Sequence, residues 1–204
     1  MSKSDFNGVV QAVKLFESYE RPWAICGGWA IDLYLNRVTR PHKDVDFAVL
    51  RRDQLVIQDY FSSRGWTLEK AAGGQLVPWH PGEWIDLPDH VIWCKNTNAS
   101  PDFVELLFNE VDEVSFLYRR DASITLPLDK MMIPSSSGIP ILAPEIVLLY
   151  KSVKPEDDTA AADFRNVLPN LSQQASHWLA AALRRLQPDH SWLKDLYKSG
   201  ENHV

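Results

Sequence analysis

The chain has little cysteine: two residues in 204, Cys26 and Cys94, each inside an apolar run. That scarcity excludes a disulfide framework and a cysteine-rich zinc site, and it points to two reduced, buried thiols. No apolar run reaches membrane-spanning length, and the opening MSKSDFNGVVQAVKLFESYE has no continuous apolar core of the kind a signal peptide needs. A cytoplasmic protein with no membrane partner is therefore expected. Positive charge is in deficit too, with 21 Lys and Arg against 27 Asp and Glu, a formal net charge of −6. Nucleic acid is not an expected partner on that balance, whereas a cationic small substrate would suit it. Both dominant nucleotide fingerprints, GxGxxG and GxxxxGK[ST], are missing.

What is present is an ordinary globular composition, 45% hydrophobic and 24% charged, which argues against disorder. Ser4 can cap a helix whose apolar positions Phe6, Val9, Val10, Val13 and Phe16 recur at helical spacing. After Pro22, WAIC reads as a short buried strand, Gly27-Gly28 as a turn, and WAIDLYLN as a short helix. RVTRPHK is a loop, and a strand covers residues 44 to 50. A helix follows to about residue 63, stopped by Gly65. The middle of the chain supplies short aromatic and branched runs, WTLEK, GQLVPW, HVIWCK, DFVELLF, EVSFLYRR and ITLPL, all with strand character. From Pro144 the texture turns helical, through PEIVLLYKSV, DTAAADFRNVL and SQQASHWLAAALRRL. The expected fold class is α/β (α+β), a mixed β-sheet core flanked by helices. An α/β domain would span residues 1–142, with a C-terminal helical region over 143–204 packed on it.

Asp44 and Asp46 are two residues apart, so on a strand both carboxylates share one face, with Cα atoms roughly 6.6 Å apart. Two carboxylates on one face repel one another, and a hard divalent cation such as Mg²⁺ would relieve them with oxygen ligands. The pair alone means nothing, since roughly three acidic-x-acidic triplets are expected by chance in this composition. Its context matters more. Gly27-Gly28 at a strand-to-helix turn exposes backbone N–H groups to an anion and lets phosphate approach closely; a lone GG is otherwise only a tight turn. Phosphate-cradling amides feeding a two-carboxylate metal site suit nucleotidyl transfer, with metal ions (two of them) and a nucleoside triphosphate as co-substrate.

The stretch GGWAIDLYLNRVTRPHKDVDFAVL resembles the signature of the polymerase-β-type nucleotidyltransferase superfamily, in which a GG or GS turn precedes an acidic-x-acidic strand. GGWAID followed by R-x-H-x-D-x-D is similar to its aminoglycoside adenylyltransferase branch, as are PEIVLLYKS and DFRNVL. The resemblance implies a nucleotidyltransferase core and a third carboxylate on a neighbouring strand. Glu105 in DFVELLF is the candidate, as metal ligand or as general base on the acceptor hydroxyl; Asp86, Asp102 and Glu110 are the fallbacks. It also implies phosphate or carboxylate contacts for Arg40 and His42, residues that on pattern alone could equally be exposed loop. Lys151, which could simply complement a helix dipole, would reach the triphosphate. Lys43 departs from the acidic or neutral residue expected there. Asp163 is read as a partner for a basic residue.

Trp79, Trp84 and Trp93 could line an acceptor cleft or pack in the core, and Glu83, Asp86 and Asp89 could receive a cationic acceptor or line a solvated loop. Together these readings give an expected function. The chain would be a metal-dependent adenylyltransferase-like enzyme moving AMP from ATP onto a hydroxyl of a small molecule, an aminoglycoside-type antibiotic among the possibilities. The alternatives are transfer to a protein or RNA acceptor, or a non-catalytic nucleotide-binding module.

Overall fold

A computed structural model describes residues 6–201, so the expected cap Ser4 lies outside the described residues. In chain order the elements are α1 (Asn7–Val13), β1 (Trp23–Ile25), α2 (Gly27–Leu35), β2 (Asp46–Leu50), α3 (Gln54–Ser62), β3 (Thr67–Ala72), β4 (Gln75–Pro78), β5 (Val91–Lys95) and β6 (Phe103–Val111). They continue with β7 (Ser115–Leu117), β8 (Thr125–Pro127), α4 (Leu128–Met131), β9 (Met132–Pro134), β10 (Pro140–Leu142), α5 (Pro144–Lys151), α6 (Asp158–Val167), α7 (Gln173–Leu186) and α8 (Leu193–Glu201).

One sheet organises the fold, in the order β4-β3-β5-β6-β2-β1-β10-β9, with β7 and β8 continuing from the far end of β6. It is mixed, as expected: β2 runs parallel to β6 and β1 parallel to β10, while the other pairings are antiparallel. β2 lies at its centre and reads DFAVL, buried after its first residue, as a strand covered on both faces should. On β5 and β6 burial alternates instead. Ile92, Cys94, Val104 and Leu106 enter the core, where Phe16 stacks on Phe47 at 4.2 Å, while Trp93, Glu105 and Leu107 stand on the other face. That second face carries the site.

Three boundaries differ from expectation. The glycines do not precede α2 but form its first turn, because Gly27 at φ 62° makes the sharp change of direction inside the helix's own first residue. Strand β2 begins at Asp46, leaving Asp44 in the bend before it, so the two carboxylates do not share a strand. β9, β10 and the one-turn α4 are not among the expected elements, since their MIP, PIL and LDKM segments carry no period of their own.

The C-terminal helices have clear starts. Pro144 opens α5, Asp157 accepts from the Thr159 and Ala160 amides at 2.9 and 3.0 Å, and Ser172 accepts from Ala175 N at 3.1 Å. Helix α5 packs on α2, α6 and α7, which brings its last residue, Lys151, to the glycine turn. Among the described residues no helix is long and apolar enough to cross a membrane.

Candidate active site

The parallel register of β2 and β6 sets Asp46 opposite Glu105. The same row continues to Trp93 on β5 and Glu69 on β3 in one direction. In the other it reaches Cys26, whose amide donates to Asp46 O at 2.9 Å. Two carboxylates thus stand side by side on the central strands of the sheet.

Their electrostatics follow from that placement. The Asp46 carboxyl is pushed up to about 7, first by burial, then by the charges of Asp44 and Glu105, with Lys151 and Arg40 offsetting part of the rise. Glu105 is raised as well, by burial and by Asp44, while a hydrogen bond from the Trp93 side chain pulls it back. Asp44 is therefore near both although it lies outside the strand. Among the described residues no three His, Cys, Asp or Glu side chains are drawn together tightly enough to hold a metal ion. The three acidic side chains expected to meet are neighbours without forming a ready-made cage.

A divalent cation fits this donor set. Every donor is a carboxylate oxygen, the charges repel, and burial has raised two of the groups, so a hard cation would be bound with gain on each count. The nearest basic residues do not fill that role, because they are engaged elsewhere. Asp163, 1% exposed, accepts from Arg40 Nη2 at 3.2 Å and from Lys151 Nζ at 3.0 Å. Arg40 Nη1 also donates to His42 Nδ1 at 3.1 Å. Arginine has no acceptor, so Nδ1 carries no proton and the ring is held as the tautomer with its proton on Nε2. That Nε2–H donates to Asp32 Oδ2 at 2.6 Å, and Asp32 Oδ1 takes both the amide and the hydroxyl of Thr39, at 3.1 and 2.5 Å. Arg40, His42 and Lys151 thus surround the site as parts of one network.

Both glycines are required by close approaches. A Cβ on Gly27 would lie 2.0 Å from Asp46 Oδ2, and one on Gly28 would lie 2.3 Å from Arg40 Nη2 and 2.5 Å from the His42 ring. The turn therefore seats the acidic strand on one glycine and the basic loop on the other. No side chain caps α2 at its start.

The remaining candidates separate cleanly. Glu110 is paired with Arg51 at 2.5 Å, Asp86 accepts from the Trp84 indole at 3.1 Å, and Asp102 is exposed, so none of the fallbacks joins Asp46. Trp79, 4% exposed, is core; Trp84 is exposed on the surface; Trp93 alone of the three stands in the acidic row. Glu83 is tied to Lys70 and does not converge with Asp86. Lys43 is exposed. Sequence reasoning missed Asp32, although a charged residue inside the apolar helix WAIDLYL is itself a signal of a buried partner. It also missed Arg119 and Arg120, which line a cavity beside Gly27 and Lys151.

The family model for aminoglycoside-2''-adenylyltransferase matches residues 8–95, which hold the glycine turn and the acidic pair. The fold is an aminoglycoside-adenylyltransferase-like nucleotidyltransferase fold. Three solved structures share it. The solution structure of the antibiotic-resistance factor ANT(2'')-Ia is 14% identical with TM-score 0.59, covering 100% of both chains. The crystal structure of ANT(2")-Ia in complex with adenylyl-2"-tobramycin is 14% identical with TM-score 0.57, over 87% of this chain and 96% of that one. The lincomycin-bound lincosamide antibiotic adenylyltransferase LnuA is 16% identical with TM-score 0.54, over 81% and 96%. No curated protein sequence matches the chain. In this adenylyltransferase-like fold the acidic row and the glycine turn sit together on one face of the sheet, and α5 closes over the turn.

Proposed function

We propose that the chain is a metal-dependent nucleotidyltransferase that moves AMP from ATP onto a hydroxyl of a small antibiotic-type acceptor. The observation that carries the reading is the pairing of Asp46 with Glu105 across β2 and β6, with Asp44 close enough to raise both and the Gly27 turn against Asp46.

Asp44 and Asp46 are the residues that would hold divalent metal, Mg²⁺ in this reading, with Glu105 at the edge of that set. Bound there, the metal supplies charge neutralisation at the phosphates and lowers the pKa of a coordinated hydroxyl. The rest falls to the chain's own residues. Gly27 and Gly28 leave the first amides of α2 open to a phosphate, which the helix's positive end also favours. Lys151 neutralises charge beside the turn, and Asp163 fixes its position. Glu105, already raised, takes the proton of the acceptor hydroxyl as that oxygen attacks the α-phosphorus, and pyrophosphate leaves with the electrons of the broken P–O bond. Trp93 holds the Glu105 carboxylate through its hydrogen bond and offers an aromatic face on the acceptor side.

Pyrophosphate release with ATP and Mg²⁺, measured across a panel of aminoglycosides, lincosamides and other hydroxyl compounds, tests the reading. Turnover with at least one acceptor, abolished in Asp46→Asn, is expected. Equal activity of the wild type and that variant would overturn the proposed centre.

A further inference from the structure

Beside the acidic row lies a cavity of about 220 Å³, and of its polar lining only Gly27 and Lys151 have a role in the transfer proposed above. Gly27 and Lys151 form its wall towards the reaction centre, and Arg119, Arg120, Tyr150 and His90 line the rest of its polar surface together with Asn109. Among its lining residues are three cations and no carboxylate.

Lys151 is paired with Asp163 at 3.0 Å, but the two arginines have no such partner. Among the described residues neither Arg119 nor Arg120 has a carboxylate within ion-pair distance. Arg119 has only the face of Tyr150, at 5.3 Å, and Arg120 donates to Tyr118 Oη at 2.9 Å. Burial first, and then the neighbouring Arg120, lower the Arg119 pKa. His90 shows the same field. It is lowered first by burial and then by Arg119, Arg51 and Arg120, and its Nδ1–H is committed to Pro88 O at 2.9 Å. The Tyr150 hydroxyl is buried with no hydrogen-bond partner. A half-buried guanidinium without a counter-charge and an orphaned hydroxyl are both costly unless a ligand satisfies them.

The cavity does not end there. Arg120, Tyr150 and Lys151 also line a second one of about 250 Å³, which opens past Lys154 and Thr159 at the start of α6, where its one carboxylate, Asp157, accepts from the helix's own amides. A basic path therefore runs from the glycine turn to the outer surface.

We propose that this path is a polyphosphate site, in which Arg119, Arg120 and the Tyr150 hydroxyl hold the outer two phosphates of the triphosphate and through which pyrophosphate departs. Guanidinium groups suit that ligand because their planar donors pair with phosphate oxygens two at a time. This inference rests on the nucleotidyl-transfer reading and adds to it the groups that take the leaving anion.

Titration of the full chain with inorganic pyrophosphate, followed by calorimetry with AMP as the control ligand, tests it without acceptor or turnover. Wild type is expected to bind pyrophosphate, Arg119→Met to bind it at least ten-fold more weakly, and AMP affinity to stay within two-fold. Arg119→Met relieves charge repulsion and should melt no lower than wild type; if it fails to fold, the exposed Arg120→Met and the single-atom change Tyr150→Phe carry the same comparison. A wild type blind to pyrophosphate, variants that bind it as tightly as wild type, or an equal loss of AMP binding would each overturn the proposal. Pyrophosphate bound through the arginines by a chain that transfers nothing would sink the proposed function and leave this site standing. Full kcat with unchanged KM for ATP in Arg119→Met/Arg120→Met would do the reverse.

Discussion

Asp163 on α6 lies 3.2 Å from Arg40, a residue 123 positions away, and this contact joins the C-terminal helices to the loop that leads into the acidic strand. Lys151 shares the same carboxylate at 3.0 Å. Removing the charge in Asp163→Asn leaves two cations facing each other around a buried amide. We expect a loss of about 3 kcal/mol in folding stability, as for other broken buried pairs, read from the denaturant midpoint. No change in midpoint would show that the two cations relax into solvent and that the network does not hold the loop.

Gly27 tests the fit between turn and strand. Gly27→Ala places a methyl group 2.0 Å from Asp46 Oδ2 at a φ of 62°, so Asp46 must move as well as the backbone strain. The backbone term costs about 1–2 kcal/mol. A displaced carboxylate at a reaction centre costs about 100-fold in turnover. Gly73→Ala is the matched control, since its φ is also positive at 57° but nothing lies within 4 Å of the added carbon. It should lose a similar amount of stability and no activity. Equal activity in the two variants would remove Asp46 from the centre.

The metal-free protein should be less stable in mild alkali than in mild acid on account of Asp46. Its carboxyl titrates near 7 folded against an ordinary 3.8. Below about pH 4 both folded and unfolded states hold the proton, and the group has no effect. Between about 4 and 7 only the unfolded chain releases it, so stability falls as pH rises, and above 7 the loss is complete. Its size is at most about 4 kcal/mol by the free energy of a pKa shift. Urea unfolding at pH 5 and pH 8 in chelator measures it. Asp46→Asn should flatten the difference, and millimolar Mg²⁺ should restore the wild type at pH 8. A wild type and an Asp46→Asn variant with parallel profiles would contradict the raised carboxyl.

The order of helices and strands around the site could be read from the chain, because each piece carries a local signal. Gly27-Gly28 marks the turn, the DFAVL run of β2 shows a strand with two buried faces, and Pro144 marks a helix start. Placing Glu105 needed the strand pairing of β2 with β6, a contact between segments nearly 60 residues apart, and only the resemblance singled that residue out beforehand. The partners of Arg40 and Lys151 were harder still. The sequence offers Asp163 as a match for some basic residue, but nothing in the local pattern of α6 says that one carboxylate takes two cations from two other elements. The Arg119–Arg120 pair follows an unremarkable strand, and its lack of a counter-charge is a property of the folded neighbourhood alone.

The row Glu69, Trp93, Glu105, Asp46 crosses four strands of the sheet and ends at Cys26 just past β1, and the glycine turn stands at that end only. Donor and acceptor molecules would thus come in from opposite flanks of the carboxylates, with neither blocking the doorway of the other. For the transfer proposed above, such an arrangement would allow a ternary encounter assembled in either sequence.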